Sequence, residues 1–133
     1  MEALIYVSTA TELPNQRMID RILDASHRNN PALDLTGMLL WSDMTFAQML
    51  EGPSNALDIL YARLQTDPRH SNLRLLSRWR IDQRLFSEWS MASRRLSPRG
   101  PWGLLTDATH DAATTANWLL FLMNELRRLP AVA

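Results

Sequence analysis

Residues 35–52 read LTGMLLWSDMTFAQMLEG, and their pattern is the main indication of the fold. Two runs rich in apolar residues, Leu35–Trp41 and Thr45–Glu51, flank the short connection at residues 42–44. Runs of this length joined by so few residues predict an antiparallel β-hairpin. The segments before and after the hairpin are then interpreted as the rest of one sheet and its helices.

A polar side chain interrupts each of two predicted strands. Alternation along the second strand of the hairpin puts Gln48 on the same face as Phe46 and Leu50. Residues 1–8 predict an earlier strand, in which Tyr6 has a comparable position. A buried amide and a buried phenol each need hydrogen-bond partners. The two side chains therefore indicate a polar site inside an apolar core.

Two helices are predicted on either side of the hairpin. Asn15 is placed to cap the first helix, and Pro31 is expected to end it. Ser54 is placed to cap the second helix, which should stop before Pro68. Apolar residues recur in both segments at spacings of three and four, which is typical of helices that pack on a sheet.

Further elements follow the second helix. A strand is predicted over Leu73–Ile81, where alternating arginines give a largely basic outer side, and a fifth strand over Phe86–Ala92. The Arg-, Pro- and Gly-rich segment Ser93–Pro101 is expected to be a connection to an apolar helix at 112–128. The element order predicts an α+β fold, a ferredoxin-like βαββαβ sheet with two helices on one face, plus a C-terminal helical extension.

The composition excludes several classes of binding site and reaction. The chain has 133 residues and a formal net charge of zero, which suits one domain with no overall field for nucleic acid or an anionic membrane. All fourteen basic residues are arginine and there is no cysteine, so lysine Schiff bases, thiolate nucleophiles and iron–sulfur clusters are excluded. The three histidines are too dispersed for a metal site. The longest apolar run, residues 118–123, is too short to cross a bilayer, and we expect a cytoplasmic protein.

Polar side chains from the sheet and from the first helix are expected to meet around an apolar slot. The polar groups are Tyr6, Gln48, Ser26 and Asn30, and the slot is lined by Ile22, Phe46 and Leu50. Such a slot suits a flat heteroaromatic ligand with amide-like edges, of which an isoalloxazine ring is one example. On spacing alone, the simpler interpretation is that the phenol and the Gln48 amide bond each other or the backbone.

Six segments strengthen the interpretation as a ligand site. They are LIYVS at 4–8, SHRNN at 26–30, LTGML at 35–39, FAQMLEG at 46–52, DPRH at 67–70 and WSM at 89–91. In this order and spacing they resemble the BLUF family, the blue-light sensors that use FAD, in its short single-domain form. The resemblance covers about residues 2–95, which would form the flavin-binding domain at 1–95. Residues 96–133 would then be a helical extension that packs on the sheet or on a partner.

The resemblance implies a flavin bound without a covalent bond between the two helices. The chromophore would be FAD, although FMN or riboflavin would also fit. The resemblance assigns photochemical roles to Tyr6 and Gln48 and signalling roles to Trp89 and Met91. The implied cofactor-binding residues are Tyr6, Ser26, Asn29, Asn30, Phe46, Gln48, Arg69, His70 and Met91.

The implied mechanism is a transfer of an electron and a proton from Tyr6 to the excited flavin. The transfer would rearrange the hydrogen bonds of Gln48 and signal through the fifth strand and the C-terminal helices. The chain would be a sensor and not an enzyme, with an output partner in trans and a tendency to form homo-oligomers. Two alternatives stay open, a flavin-dependent oxidoreductase and a protein-interaction module without a chromophore.

Overall fold

The computed structural model describes residues 1–87, 91–96 and 111–128. They form five strands and three helices. The strands are β1 (Glu2–Ala10), β2 (Thr36–Ser42), β3 (Thr45–Gly52), β4 (His70–Arg80) and β5 (Ala92–Arg95). The helices are α1 (Gln16–Leu33), α2 (Ser54–Thr66) and α3 (Ala112–Leu126).

One mixed sheet organises the described chain, with strand order β4-β1-β3-β2-β5. The first four strands pair antiparallel in the order of the ferredoxin-like plan, and β5 adds to β2 in parallel. The predicted hairpin is confirmed, with β2 paired to β3 across the turn at Asp43 and Met44. The expected α+β fold with a C-terminal helix is therefore confirmed.

The sheet separates two apolar layers. Leu4, Tyr6, Phe46 and Leu50 face α1 and α2, and their alternate neighbours face α3. Leu119 and Met123 of α3 are fully buried against that second face. The α1/α2 layer holds the polar residues of interest, and the α3 layer covers the opposite side of the same strands. None of the helices in the described ranges is long and apolar enough to cross a membrane.

Both predicted helices form, but one end of each differs from the prediction. The Asn15 side chain caps α1 by accepting a hydrogen bond from the Met18 N–H at 2.9 Å, as expected. The prediction that Pro31 ends this helix is wrong, because α1 continues to Leu33. A proline removes a single N–H from a helix, and here the Leu35 N–H still closes the last turn on the Asn30 carbonyl at 2.9 Å.

The predicted cap of the second helix is also wrong. The N-cap of α2 is Pro53, which has no side-chain cap hydrogen bond, and Ser54 is the first helical residue. The Ser54 hydroxyl instead accepts a hydrogen bond from the Arg78 guanidinium at 2.9 Å. The Ser54 hydroxyl, predicted from the local sequence to cap α2, is thus bound by Arg78 of β4 instead.

The alternation predicted for the fourth strand breaks. Register shifts interrupt its pairing with β1, and Asn72 has a positive φ of 52°. As a result Leu76 is buried in the α3 layer, and Leu75 is 41% exposed. Arg78, assigned to a basic outer side, lies beside α2 and pairs with Asp58 at 2.7 Å. A bulge adds a residue without a partner, so the faces exchange along the strand.

The fifth strand starts later than predicted. β5 spans Ala92–Arg95, which includes residues assigned to a connection, and Phe86 lies outside any strand. Phe86 is 2% exposed and packs in the α3 layer. Trp89 lies outside the described residues. Apolar alternation alone did not distinguish a strand from a loop that inserts one aromatic ring into a core.

A buried carboxylate holds the connection between β4 and β5 to the sheet. Glu51, at the end of β3, has no exposed surface. Its carboxylate accepts hydrogen bonds from the backbone N–H of Leu85 at 2.8 Å and of Phe86 at 2.6 Å. The Thr36 hydroxyl donates a third bond, at 2.8 Å. Three donors compensate the cost of burying this side chain, and the bonds fasten the segment that leads toward β5.

We predict that Glu51→Gln destabilises the fold. An amide has a single acceptor oxygen, and its NH2 group would face a backbone donor, so the variant should lose about 2 to 3 kcal/mol of unfolding free energy. Urea denaturation measures the loss, with Glu12→Gln as the control because Glu12 is exposed. A Glu51→Gln midpoint equal to that of the control would contradict the role of this carboxylate.

Candidate functional site

A cavity of about 180 Å³ lies between the sheet and the helices α1 and α2. Its volume is about an order of magnitude more than one water molecule needs. The structure brings all nine predicted cofactor-binding residues to its lining. They are Tyr6, Ser26, Asn29, Asn30, Phe46, Gln48, Arg69, His70 and Met91.

Tyr6, Gln48 and Met91 form a hydrogen-bonded chain in the wall of the cavity. The Tyr6 hydroxyl donates to Gln48 Oε1, and Gln48 Nε2 donates to Met91 Sδ at 3.2 Å. All three side chains are at least 95% buried. The direct bond between the phenol and the amide was the simpler interpretation of their spacing, and here the same bond is part of the cavity wall.

Burial controls the protonation of Tyr6. It raises the pKa of the phenol well above its ordinary value, and the negative charge of Asp67 acts in the same direction. The neutral phenol is therefore the form present near pH 7. Its proton points at the Gln48 oxygen, so a neutral donor and a neutral acceptor meet in an apolar setting.

A histidine braces the end of the site where β1 meets β4. His70 Nε2 donates to the Leu64 carbonyl of α2 at 2.6 Å, and in the neutral ring Nδ1 accepts from the Ser8 hydroxyl at 2.8 Å. The ring stands edge-on to Tyr6, with 6.2 Å between centroids. His70 thus ties a helix to two strands and fixes one side of the pocket around the phenol.

An ion pair sits beside this histidine. Arg69 binds the Asp67 carboxylate through two nitrogens, with Nε at 3.0 Å from one oxygen and Nη2 at 2.6 Å from the other. Burial raises the pKa of Asp67, but the hydrogen bonds and charge of Arg69 outweigh it and leave that pKa below its ordinary value. The same bonds raise the pKa of Arg69. Most of the charge of Arg69 is therefore compensated within the pair.

A second contact holds Met91 from the first helix. His27 Nε2 donates to the Met91 backbone carbonyl at 3.1 Å. The side chain of Met91 is thus bonded to the sheet through Gln48, and its backbone is bonded to α1. This residue directly precedes β5, so the site is connected to the parallel edge strand of the sheet.

Sequence reasoning missed part of the lining and misplaced one residue. The missed residues are Ala25, Leu39, Leu60, Arg63, Leu64 and Asp67. Leu60, Arg63 and Leu64 lie in α2 and Asp67 is its C-cap, at spacings of three and four. The apolar members, Leu60 and Leu64, belong to a pattern that predicted a core-facing stripe without showing that a cavity lies under it. Leu50 belongs to the same apolar layer but does not line the cavity.

The sequence has known relatives. Residues 1–92 match the family profile described as "BLUF: Sensors of blue-light using FAD". The photoactivated adenylate cyclase subunit beta of Euglena longa is 33% identical over 94 residues, which is 70% of this chain and 11% of that protein. The chain therefore spans about a tenth of the length of this curated relative.

Solved structures show the same architecture over almost the whole chain. BlsA in its photo-activated state is 25% identical, with a TM-score of 0.80, and the match covers 100% of this chain and 99% of that one. BlrB, a BLUF protein in its dark state, is 29% identical, with a TM-score of 0.74 and 96% of both chains covered. With the family profile, the shared fold and the polar cavity in agreement, this chain belongs to the BLUF family of blue-light sensors that use flavin.

Proposed function

We propose that this chain senses blue light through FAD held in the cavity and signals by a change in the hydrogen bonds of Gln48. The observation that carries the proposal is the continuous chain from Tyr6 through Gln48 to Met91 in the cavity wall. It connects a proton donor to the residue that precedes β5.

The lining fits an isoalloxazine ring. Apolar side chains on both sides, Ile22, Phe46, Leu60 and Leu64, suit the faces of a flat aromatic system. The amides of Asn29, Asn30 and Gln48 offer the donors and acceptors that the polar edge of a flavin needs. When bound, the flavin would supply absorption of blue light and a strong oxidant in its excited state.

Tyr6 is the electron and proton donor in this proposal. It would give up one electron, and its hydroxyl proton would leave toward Gln48 Oε1, the atom to which it is already bonded. Both would return to the phenol in the dark, so the cycle has no net oxidation. Because the neutral phenol is the form present near pH 7, the proton is available to move with the electron.

Gln48 is the switch because its two ends are chemically opposite. In the structure its oxygen faces the Tyr6 hydroxyl and its nitrogen donates to Met91 Sδ. Rotation or tautomerisation of the amide would exchange donor and acceptor without creating a buried charge. An oxygen turned toward the thioether finds no donor there, so the bond between Gln48 and Met91 would be lost.

Loss of that bond gives the signal a route out of the cavity. Met91 would keep its backbone bond to His27 but lose its side-chain bond to the sheet. Residues 92–95, which pair with β2 at the sheet edge, would be the next to respond. We propose residues 1–95 as the sensing unit and residues 96–133 as the extension that passes the signal on.

The output is proposed to lie in another protein in trans, with homo-oligomers also formed. Trp118 and Phe121 of α3 support a contact surface, because they are 41% and 57% exposed and lie next to each other with 5.7 Å between ring centroids. In this proposal the chain has no enzymatic activity of its own. Substrate turnover with bleaching of the flavin would instead support a flavin-dependent oxidoreductase.

We predict that light shifts the flavin absorption of the purified protein reversibly to longer wavelength, and that Tyr6→Phe abolishes this shift with flavin still bound. Phenylalanine keeps the ring that packs in the core but has no hydroxyl to donate. Absorption spectra in the dark, after blue light and after dark recovery make the measurement. Tyr61→Phe is the control, because Tyr61 does not line the cavity. A normal shift in Tyr6→Phe would refute the role of the phenol.

We predict that Met91→Leu keeps the spectral shift but removes the light-induced change in residues 92–95. Leucine fills a similar volume and cannot accept a bond from Gln48, so light has no bond to break at this position. Hydrogen exchange of the backbone amides, compared between dark and light, makes the measurement. Met44→Leu, in the exposed hairpin turn, is the control. The same light-dependent difference in Met91→Leu as in the control would exclude this route.

A further inference from the structure

Two arginines line the cavity, and their electrostatic situations differ. Arg69 binds the Asp67 carboxylate through two nitrogens. Arg63 takes part in none of the ion pairs found among residues 1–87, 91–96 and 111–128. Among the lining residues that the structure describes, Asp67 is the single acidic one, so this described part of the lining carries one positive charge in excess. That charge belongs to Arg63.

Arg63 also marks where the cavity opens. Of the sixteen described lining residues, Asn29 of α1 and Arg63 of α2 are exposed, and the side chain of Arg69, held by Asp67, is 42% exposed. The cavity is therefore open to solvent between these two helices. A ligand with its ring against Tyr6 and Gln48 has to extend its remaining atoms through this opening, past the arginine.

We infer that Arg63 is a phosphate-binding residue that makes this site select phosphorylated flavins, FMN and FAD, over riboflavin. The inference rests on the proposed function, because it assumes that a flavin ring occupies the cavity. The guanidinium group matches the oxygens of a phosphate through paired N–H donors. Riboflavin has the same ring and ribityl chain but carries no anion for this residue.

The location of Arg63 on its helix does not account for this arrangement by itself. It stands in the last turn of α2, where a positive charge complements the helix dipole. The dipole would favour a cation on any side of that turn. Arg63 instead follows Leu60 by three residues and precedes Leu64 and Asp67 by one and four, on the stripe that lines the cavity.

The inference is tested by letting FMN and riboflavin compete for the cavity of the protein that already carries flavin. The protein is incubated with an equimolar mixture of FMN and riboflavin, and the bound flavins are then released and separated by chromatography. We expect Arg63→Gln to raise the bound ratio of riboflavin to FMN about tenfold, the order expected for one charge-assisted contact. Arg63→Lys should keep most of the preference. Arg21→Gln, an exposed arginine of α1 outside the lining, is the control.

The ratio separates this role from general destabilisation, since a weakened fold would lower the binding of both flavins together. A preference for FMN that falls with rising salt in the wild type, and is absent in Arg63→Gln, would support the phosphate contact. A ratio in Arg63→Gln within twofold of the control would overturn it while flavin binding itself stands. A wild-type protein that carries and takes up no flavin would overturn the proposed function as well.

Discussion

The pairing of β1 with β3 is the constraint on which the site depends. Its register sets Tyr6 directly opposite Gln48, and both side chains point to the α1/α2 layer. The neighbouring pair on that face is Leu4 with Leu50, and the other face pairs Ile5 with Met49. A slip of β1 by one residue would turn Leu4, Ile5 and Tyr6 to the wrong layers. The apolar pairs therefore enforce the geometry of the polar pair.

The sheet is a single layer of strands, which brings the site close to the opposite side of the protein. Gln48 faces the cavity, and its neighbours Ala47 and Met49 pack in the α3 layer. At the end of the same strand Glu51 holds the backbone at Phe86, whose ring is buried in that layer. One strand thus contacts the cavity wall, the β4–β5 connection and the core under α3. A change in the hydrogen bonds of Gln48 can therefore affect the opposite side of the sheet through neighbouring residues of the same strand.

The cavity keeps its centre neutral and its charges at the edge. The Tyr6 hydroxyl donates a hydrogen bond to the Gln48 amide, and neither group carries a formal charge, which suits a buried setting where an unpaired ion would be costly. The Asp67–Arg69 pair lies beside them and largely compensates itself. Arg63 is left at the opening, where solvent reduces the cost of an unpaired charge. The side chains are therefore neutral deep in the cavity and charged near its opening.

Local patterns were sufficient for much of the fold. The alternation in the hairpin, the Asn15 cap and the helical spacing of α1 and α2 all reflect interactions within a few residues, and each was predicted from the sequence. Predictions that depended on more distant partners were less accurate. The bulge in β4 arises from pairing with β1, β5 forms where Ala92–Arg95 pair with β2, and Phe86 packs in the α3 layer. None of these partners is visible in the local sequence.

The amino-acid sequence was enough to show which chemical groups are present and on which face of β1, β2 and β3 they lie, because side-chain alternation in a regular strand is a property of the local backbone. It also determined the neutral net charge and the lack of lysine and cysteine. The tertiary structure alone decided which groups meet. It brought Met91 to Gln48, His27 to the Met91 backbone and the α2 stripe to the cavity. Such contacts join residues tens of positions apart, and they form only when burial of both apolar layers holds the elements together.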